Sequence, residues 1–170
     1  SNALNYTIKS ILLNINSEKT DTILGGQTHV LDGQDHIIDQ CGHITVKLSL
    51  KSFYQSNPAQ TKALYDHIKQ VADFSPEDTV WDLFSGIGSI GLYIADKVKN
   101  VVGIEAIGDA VANATENAAK NTIKNIHFVH ADVADYLKNT DIPKTDTVIV
   151  DPPRKGCGAE LIEHLIKSQP

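Results

Sequence analysis

Along residues 79–170, short apolar runs alternate with segments whose apolar positions recur every three to four residues, the two periods that separate a buried strand from an amphipathic helix. Strands are predicted over 79–83, 101–104, 126–129 and 147–150, and helices over 90–98, 110–121, 133–138 and 159–166. Four such units in succession imply a parallel sheet with right-handed crossovers and helices on both faces. The stretch before them reads differently. Residues 5–50 carry the β-branched runs Tyr6-Thr7-Ile8, Ile11-Leu12-Leu13, Thr28-His29-Val30-Leu31, His36-Ile37-Ile38 and Ile44-Thr45-Val46-Lys47-Leu48. Turn residues at Gly25-Gly26 and Asp32-Gly33 break them up, which predicts a small antiparallel β region. Between the two parts, Asn57 offers a cap and Pro58 a first helical position for a helix over 58–72.

Ligands of an open parallel sheet sit beyond the carboxyl ends of its strands, and the chemically informative residues of this chain fall there. Asp82 and a loop with Gly86, Gly88 and Gly91 follow the first of these strands, Glu105 the second, Asp132 the third, and Asp151-Pro152-Pro153-Arg154 the fourth. Glycines let the backbone turn sharply, approach a ligand closely and pack the next helix on the sheet. Their spacing fits GxGxxG, so NAD has to be weighed. Asp82 speaks against it, because a carboxylate just ahead of the loop would repel a pyrophosphate at the helix N-terminus. S-adenosylmethionine suits the pattern better: it has no phosphate, carries a sulfonium and an ammonium, and has a ribose diol for a second carboxylate, at Glu105, to grip.

Each signal has a plainer counterpart. Glycine clusters end strands for purely structural reasons, and Glu105 could be a solvated strand end. Asp132 is as good an N-cap as an adenine contact. The two prolines fix an extended backbone and hold Asp151 rigidly at the sheet edge, which a surface turn would also explain. Residues 52–57 read by themselves as an aromatic staple with a cap at Asn57. Cys157, in Lys-Gly-Cys-Gly, is expected to be a small hydrophobe rather than a nucleophile.

Composition narrows the class. A length of 170 residues fits one domain. An apolar fraction of 41% and a mean hydropathy of −0.17, with no long apolar run, predict a soluble globular chain without membrane anchor or signal peptide. The 2 cysteines are far apart and the 7 histidines dispersed, which suggests a reducing compartment, by default the cytoplasm, and argues against zinc or an iron-sulfur cluster in this stretch. A net charge of −6 and a pI near 5.5 give no basic footprint, so contact with RNA or DNA is expected to be local or to lie elsewhere. Ser1-Asn2-Ala3 resembles a tag-removal scar, and with 0 methionines the chain is expected to be an excised piece. Its division is then residues 1–3 as scar, 4–50 as the small β region, and 51–170 as the amino-terminal part of the cofactor domain.

With these residues assembled, the chain resembles the bacterial RNA uracil-C5 methyltransferases, which make 5-methyluridine in ribosomal or transfer RNA, over nearly all of residues 4–170. Ser52-Phe53-Tyr54-Gln55-Ser56-Asn57-Pro58, with Gln60-Thr61, is similar to the family's SFxQxN segment. Asp82-Leu83-Phe84-Ser85-Gly86-Ile87-Gly88 is similar to its cofactor loop, and Gly103-Ile104-Glu105 and Asp151-Pro152-Pro153-Arg154-Lys155-Gly156 complete the match. The Ile-Gly-Ser-Ile-Gly-Leu continuation and the Pro-Pro-Arg-Lys-Gly form are most like the 23S ribosomal RNA enzymes of Gram-positive bacteria. The resemblance implies a Rossmann-like class I fold, incomplete at its carboxyl end, and S-adenosylmethionine contacts from Gln55, Phe84, Glu105 and Asp151, with Gly86 in the loop and Ser89 and Asp132 as further candidates. Ser85 stands where many members have a cysteine, which is not the family's nucleophile.

The resemblance also implies that the cysteine thiolate that adds to uracil C6 and the glutamate that helps remove the C5 proton lie beyond Pro170. A parent enzyme of this kind acts on RNA, ribosomal rather than transfer, and can carry an iron-sulfur cluster outside these residues. The fourth strand, with Val148, Ile149 and Val150, is expected to present an open apolar edge that invites dimerisation. Other readings stay open: a transfer RNA uracil-C5 enzyme, an adenine amino-group methyltransferase, whose Asp-Pro-Pro would end in an aromatic instead of Arg154, or an NAD-binding module.

Overall fold

From the amino terminus, the computed structural model, which describes residues 7–19, 23–139, 145–168 and 170, forms two strand pairs followed by alternating strands and helices. β1 (Ser10–Ile15) pairs antiparallel with β2 (Gln27–Gly33), and β3 (His36–Cys41) with β4 (Ile44–Ser49). Helix α1 (Pro58–Val71) starts as expected: the Asn57 side chain accepts from the Gln60 amide at 3.2 Å, and Pro58 needs no donor in the first turn. Then come β5 (Thr79–Leu83), α2 (Ser89–Ile94), β6 (Asn100–Glu105), α3 (Gly108–Lys120), β7 (Ile126–His130), α4 (Val133–Asn139), β8 (Thr147–Val150) and α5 (Ala159–Ser168).

The expectations hold in outline and fail in two details. The antiparallel region consists of two two-stranded sheets, as the pairing of β1 with β2 and of β3 with β4 requires, and its run Tyr6-Thr7-Ile8 adds no strand among the described residues: Tyr6 lies outside them, and Thr7 and Ile8 precede β1 with Ile8 71% exposed. A β-branched run makes a strand only where a partner and a buried face await it. The helix expected over 90–98 ends at Ile94 and tightens into a 3-10 turn, Ala95–Lys97. Asn125 draws the chain off course there, its amide donating to the Ala95 and Val98 carbonyls at 2.8 and 3.0 Å.

β5–β8 form one parallel sheet in the order β7-β6-β5-β8. Alternation along β5 and β6 sorts their side chains between two cores. Val80 and Val101 join Ile90, Leu92, Ala118 and the inner face of β4 on one side. Trp81, Leu83, Val102 and Ile104 meet Val133, Leu137 and Leu161 of α4 and α5 on the other. Each fully buried side chain of this size contributes about 1.5–3 kcal/mol of transfer free energy, so β5, buried throughout except at Thr79, anchors the sheet. Cys157 packs against the second core, as a small hydrophobe would. No helix among the described residues is long and apolar enough to cross a membrane.

Register places the chemistry. Leu83 pairs with Ile104 and with Val150, and Ile104 with Val129, so the residues that follow, Phe84, Glu105, His130 and Asp151, stand level at the carboxyl end of the sheet.

One side chain sets how tightly these layers close. A Cβ added at Gly103 would lie 2.4 Å from Phe128 Cδ1, and one at Gly88 2.4 Å from Phe128 Cζ, so the ring fills the space that two glycines leave. Gly103→Ala is expected to destabilise the fold by about 1–3 kcal/mol through overpacking, and the loss is expected to shrink when Phe128→Leu is combined with it. Urea denaturation of the two single variants and the double variant checks this; strictly additive losses would show that the ring is not the obstacle.

Candidate functional site

The loop between β5 and α2 turns through left-handed backbone three times, at Phe84 (φ 63°), Gly86 (φ 55°) and Gly88 (φ 79°). Phe84 is the unusual member, because a side chain in this region is strained and is held there only by its surroundings. Two carboxylates hold them. Glu105, at the end of β6, accepts the Gly86 amide at 2.9 Å on one oxygen and the Ile107 amide at 2.8 Å on the other. Asp82, on β5, accepts the Gly91 amide at 3.0 Å. Gly91 suits the close packing there: a Cβ would come within 3.0 Å of that same carboxylate oxygen and 2.9 Å of Ile126 Cδ1, so both side chains would have to shift.

Beside this loop lies a narrow cleft of about 50 Å³. Phe84, Ser85, Gly86, Ile87, Ser89 and Ile90 line it from the loop and the start of α2, Asp151 from the end of β8, Tyr65 from α1, and Phe53, Tyr54 and Gln55 from the segment between β4 and α1. Five of the expected site residues, Gln55, Phe84, Gly86, Ser89 and Asp151, thus meet at one opening although the first and last are 96 positions apart in the chain. Gly86 leaves its side of the cleft open, since a Cβ there would meet nothing within 4 Å. Gln55 makes no hydrogen bond to another described residue.

Glu105 is 9% exposed and stands beneath the loop, outside the lining. Each of its oxygens retains a lone pair beyond the amide it accepts. Asp132 is apart from the cleft: on its one oxygen it accepts the amides of Ala134 at 2.9 Å and Asp135 at 3.2 Å, capping α4. It follows β7, two strands away from β5, or about 10 Å at ordinary strand spacing.

Asp82 departs from the expectation. Instead of facing a ligand it is 1% exposed behind the loop, turned toward α2, with its Oδ1 buried and unpartnered. The acid that lines the cleft is Asp151, and the preference for a cation over a pyrophosphate therefore rests on Asp151 with Glu105 nearby. Burial pushes the Asp82 carboxyl up to about 7, the Gly91 amide opposing and the Asp151 and Glu105 carboxylates adding.

Sequence reading missed Tyr65. Its ring is 2% exposed, its hydroxyl shares a hydrogen bond of 2.8 Å with the Ser89 hydroxyl, and burial pushes its pKa up to about 12, so it serves as a neutral hydrogen-bonding group at the cleft. The signal was faint: a tyrosine at the buried spacing of α1 reads as ordinary core.

Comparison with known proteins gives a consistent picture. The family described as methyltransferase domain matches residues 74–167. An uncharacterized RNA methyltransferase of Oceanobacillus iheyensis is 40% identical over 166 residues, covering 96% of this chain and 36% of that protein. One from Bacillus cereus is 41% identical over 167 residues, with the same two shares, 96% and 36%. The chain therefore spans little more than a third of the length of these relatives. Among solved structures, the Pyrococcus abyssi tRNA (uracil-54, C5)-methyltransferase in complex with S-adenosyl-L-homocysteine superposes with a TM-score of 0.77 at 26% identity, over 97% of this chain and 40% of that one. The M. jannaschii tRNA m1G37 methyltransferase, at 18% identity and a TM-score of 0.63 over 84% of this chain and 42% of that one, shares the fold.

The buried Asp82 gives the stability a pH signature. Its folded pKa lies above the ordinary value of 3.8, so its contribution is fully present below about pH 4 and is lost as the pH rises through about 7. Relative to Asp82→Asn, whose amide oxygen can still accept from Gly91, the natural chain is expected to lose on the order of 4 kcal/mol between about pH 4 and about pH 8. Urea denaturation of both chains across that range checks this, and parallel profiles would mean that Asp82 ionises as freely folded as unfolded.

Proposed function

Since the chain belongs to the methyltransferase domain family, we propose that it is the S-adenosylmethionine-binding portion of an RNA methyltransferase that acts on C5 of uridine. The observation that carries this reading is the cleft itself, where Gln55 from ahead of α1 and Asp151 from the end of β8 line one opening together with the loop that runs from Phe84 to Ser89.

The residues present fit the cofactor. Glu105, with a lone pair left on each oxygen and the glycine loop clamped to it, is the group proposed to hold the ribose diol. Asp151 and Gln55 supply an anion and a carboxamide for the charged methionine end, Phe84 an apolar face, and Ser89, oriented by Tyr65, a hydroxyl. Gly86 leaves room for close approach of the ligand. Asp132 is the weakest member of the proposed set, because its carboxylate is engaged as a helix cap. When bound, the cofactor supplies an electrophilic methyl group on a sulfonium.

Uridine C5 as the acceptor is supported by the SFxQxN-like segment, whose Gln55 reaches the cleft, and by the likeness to the Pyrococcus abyssi enzyme named for that chemistry. Arg154 after Asp151-Pro152-Pro153 disfavours an adenine amino group, for which an aromatic would stack on the base. Ribosomal RNA is the proposed substrate in preference to transfer RNA, on the Ile-Gly-Ser-Ile-Gly-Leu and Pro-Pro-Arg-Lys-Gly forms. In the full enzyme the methyl-accepting carbon would be activated by a cysteine thiolate added at C6, and the C5 proton removed by a general base; both groups are assigned to regions outside these 170 residues. The target base would have to leave its stack to reach the cleft.

Calorimetric titration with S-adenosylhomocysteine and with NAD tests the cofactor. The chain is expected to bind the former and not the latter, and Glu105→Ala, folded by circular dichroism, is expected to bind at least tenfold more weakly. Preferential binding of NAD would overturn the reading.

A further inference from the structure

Helix α3 carries asparagines on successive turns of one face, Asn113 and Asn117, with Asn121 continuing the row at its C-cap. Asparagine is a poor choice for a buried helix face, yet Asn113 is 8% exposed and Asn117 0%. What they face is the outer edge of β4. Four helical residues advance about 6 Å and two strand residues about 6.7 Å, so an asparagine on every fourth helical position keeps step with every second residue of a strand running the opposite way.

The bonds follow that register. Asn121 accepts the Thr45 amide at 2.8 Å and donates to the Thr45 carbonyl at 2.7 Å. Asn117 accepts the Lys47 amide at 2.7 Å and donates to the Lys47 carbonyl at 3.4 Å. Each carboxamide thus presents the donor and acceptor that a neighbouring strand would. Asn113 meets the end of the strand differently, donating to the hydroxyls of Ser49 at 2.8 Å and Ser52 at 3.0 Å. Those two serines bond each other at 2.8 Å, and the Ser52 amide donates to the Ser49 carbonyl at 3.0 Å, closing the turn that leads out of β4.

That turn delivers residues 53–55 to the cleft, and the row reaches the cleft a second way, through the Asn117 amide, which donates to the carbonyl of Ile87 in the loop at 3.4 Å. None of the three asparagines lines the cleft. We infer that Asn113 and Asn117 are positioning residues of the cofactor cleft: they make α3 a surrogate third strand for the β3–β4 pair and fix where Tyr54 and Gln55 stand relative to the Phe84–Ser89 loop. This rests on the reading of the cleft as an S-adenosylmethionine site. The arrangement explains how a segment with no strand or helix of its own holds one side of a cleft whose other side belongs to the sheet.

The test pairs two readouts on Asn113→Ala, with folding confirmed by circular dichroism at the temperature used. Hydrogen exchange of the backbone amide at position 52, which donates to the Ser49 carbonyl, is expected to quicken at least tenfold while β5 and β6 keep their protection, and the dissociation constant for S-adenosylhomocysteine is expected to rise about tenfold. Ser52→Ala, which removes an acceptor of the same bond from a half-buried turn, is expected to give the same pattern, and it carries the test if Asn113→Ala does not fold. A folded variant with natural exchange and natural affinity overturns the inference, and so does a loss of affinity accompanied by faster exchange throughout the sheet, which would mark a general loss of stability. If the natural chain does not bind S-adenosylhomocysteine, the cofactor reading fails, while locally quickened exchange still establishes the asparagine row as what holds the turn that leads into residues 53–55.

Discussion

A strand that must become a helix within six residues, with three of them in left-handed backbone, has no stability of its own, and the clamping of that loop by two carboxylates is what the cleft depends on. Glu105 takes the amide of Gly86 and Asp82 the amide of Gly91, so the loop is fixed near both of its ends by groups belonging to the sheet. The two acids are adjacent in space because β5 and β6 pair in parallel with Asp82 opposite Gly103, and the absence of a side chain at that glycine leaves space that the Phe128 ring fills. Geometry and charge are therefore inseparable here. Burial biases Asp82 toward its neutral form, so the charge at the opening comes from Asp151, which lines it and favours a ligand that brings positive charge.

The division of labour between the acids is the main revision that the structure makes to the pattern. Read along the chain, Asp82, Glu105, Asp132 and Asp151 look equivalent, each following a strand of one sheet. In space they differ in depth and in strand order. Asp151 lines the cleft, Glu105 stands just under the loop, Asp82 is sealed behind it, and Asp132 caps its own helix beyond the far strand. Strand order is what a linear reading lacks: β7 lies at the edge, so its carboxyl end is the one farthest from the loop.

Much else was legible. β5 and β8 begin and end where the apolar runs do, because a strand buried in a parallel sheet is a short continuous apolar stretch bounded by turn formers. The cleft could be outlined from the strand ends for the same reason. Tyr65 and the asparagine row were not legible, since both hide in positions where the pattern expects core, and a polar residue at a core position reveals its purpose only through its partner. For Asn113, Asn117 and Asn121 the clue was the repeat of four, which fits a helix face but names no edge to bind. The amino-terminal strands were located but not their grouping, which depends on pairings that β-branched composition does not specify.

Covering the main chain of β4 with side chains has a further effect, on solubility. An exposed strand edge is a template for a strand from another molecule, and proteins guard such edges because pairing across them leads to aggregates. Here the guard is a helix whose carboxamides occupy the hydrogen-bonding positions of the edge, so β4 offers a stranger nothing to bind. β8, at the margin of its sheet with half-buried Val148, Ile149 and Val150, has no such guard among the described residues. One strand edge of this molecule is thus sealed against intruders by its own helix.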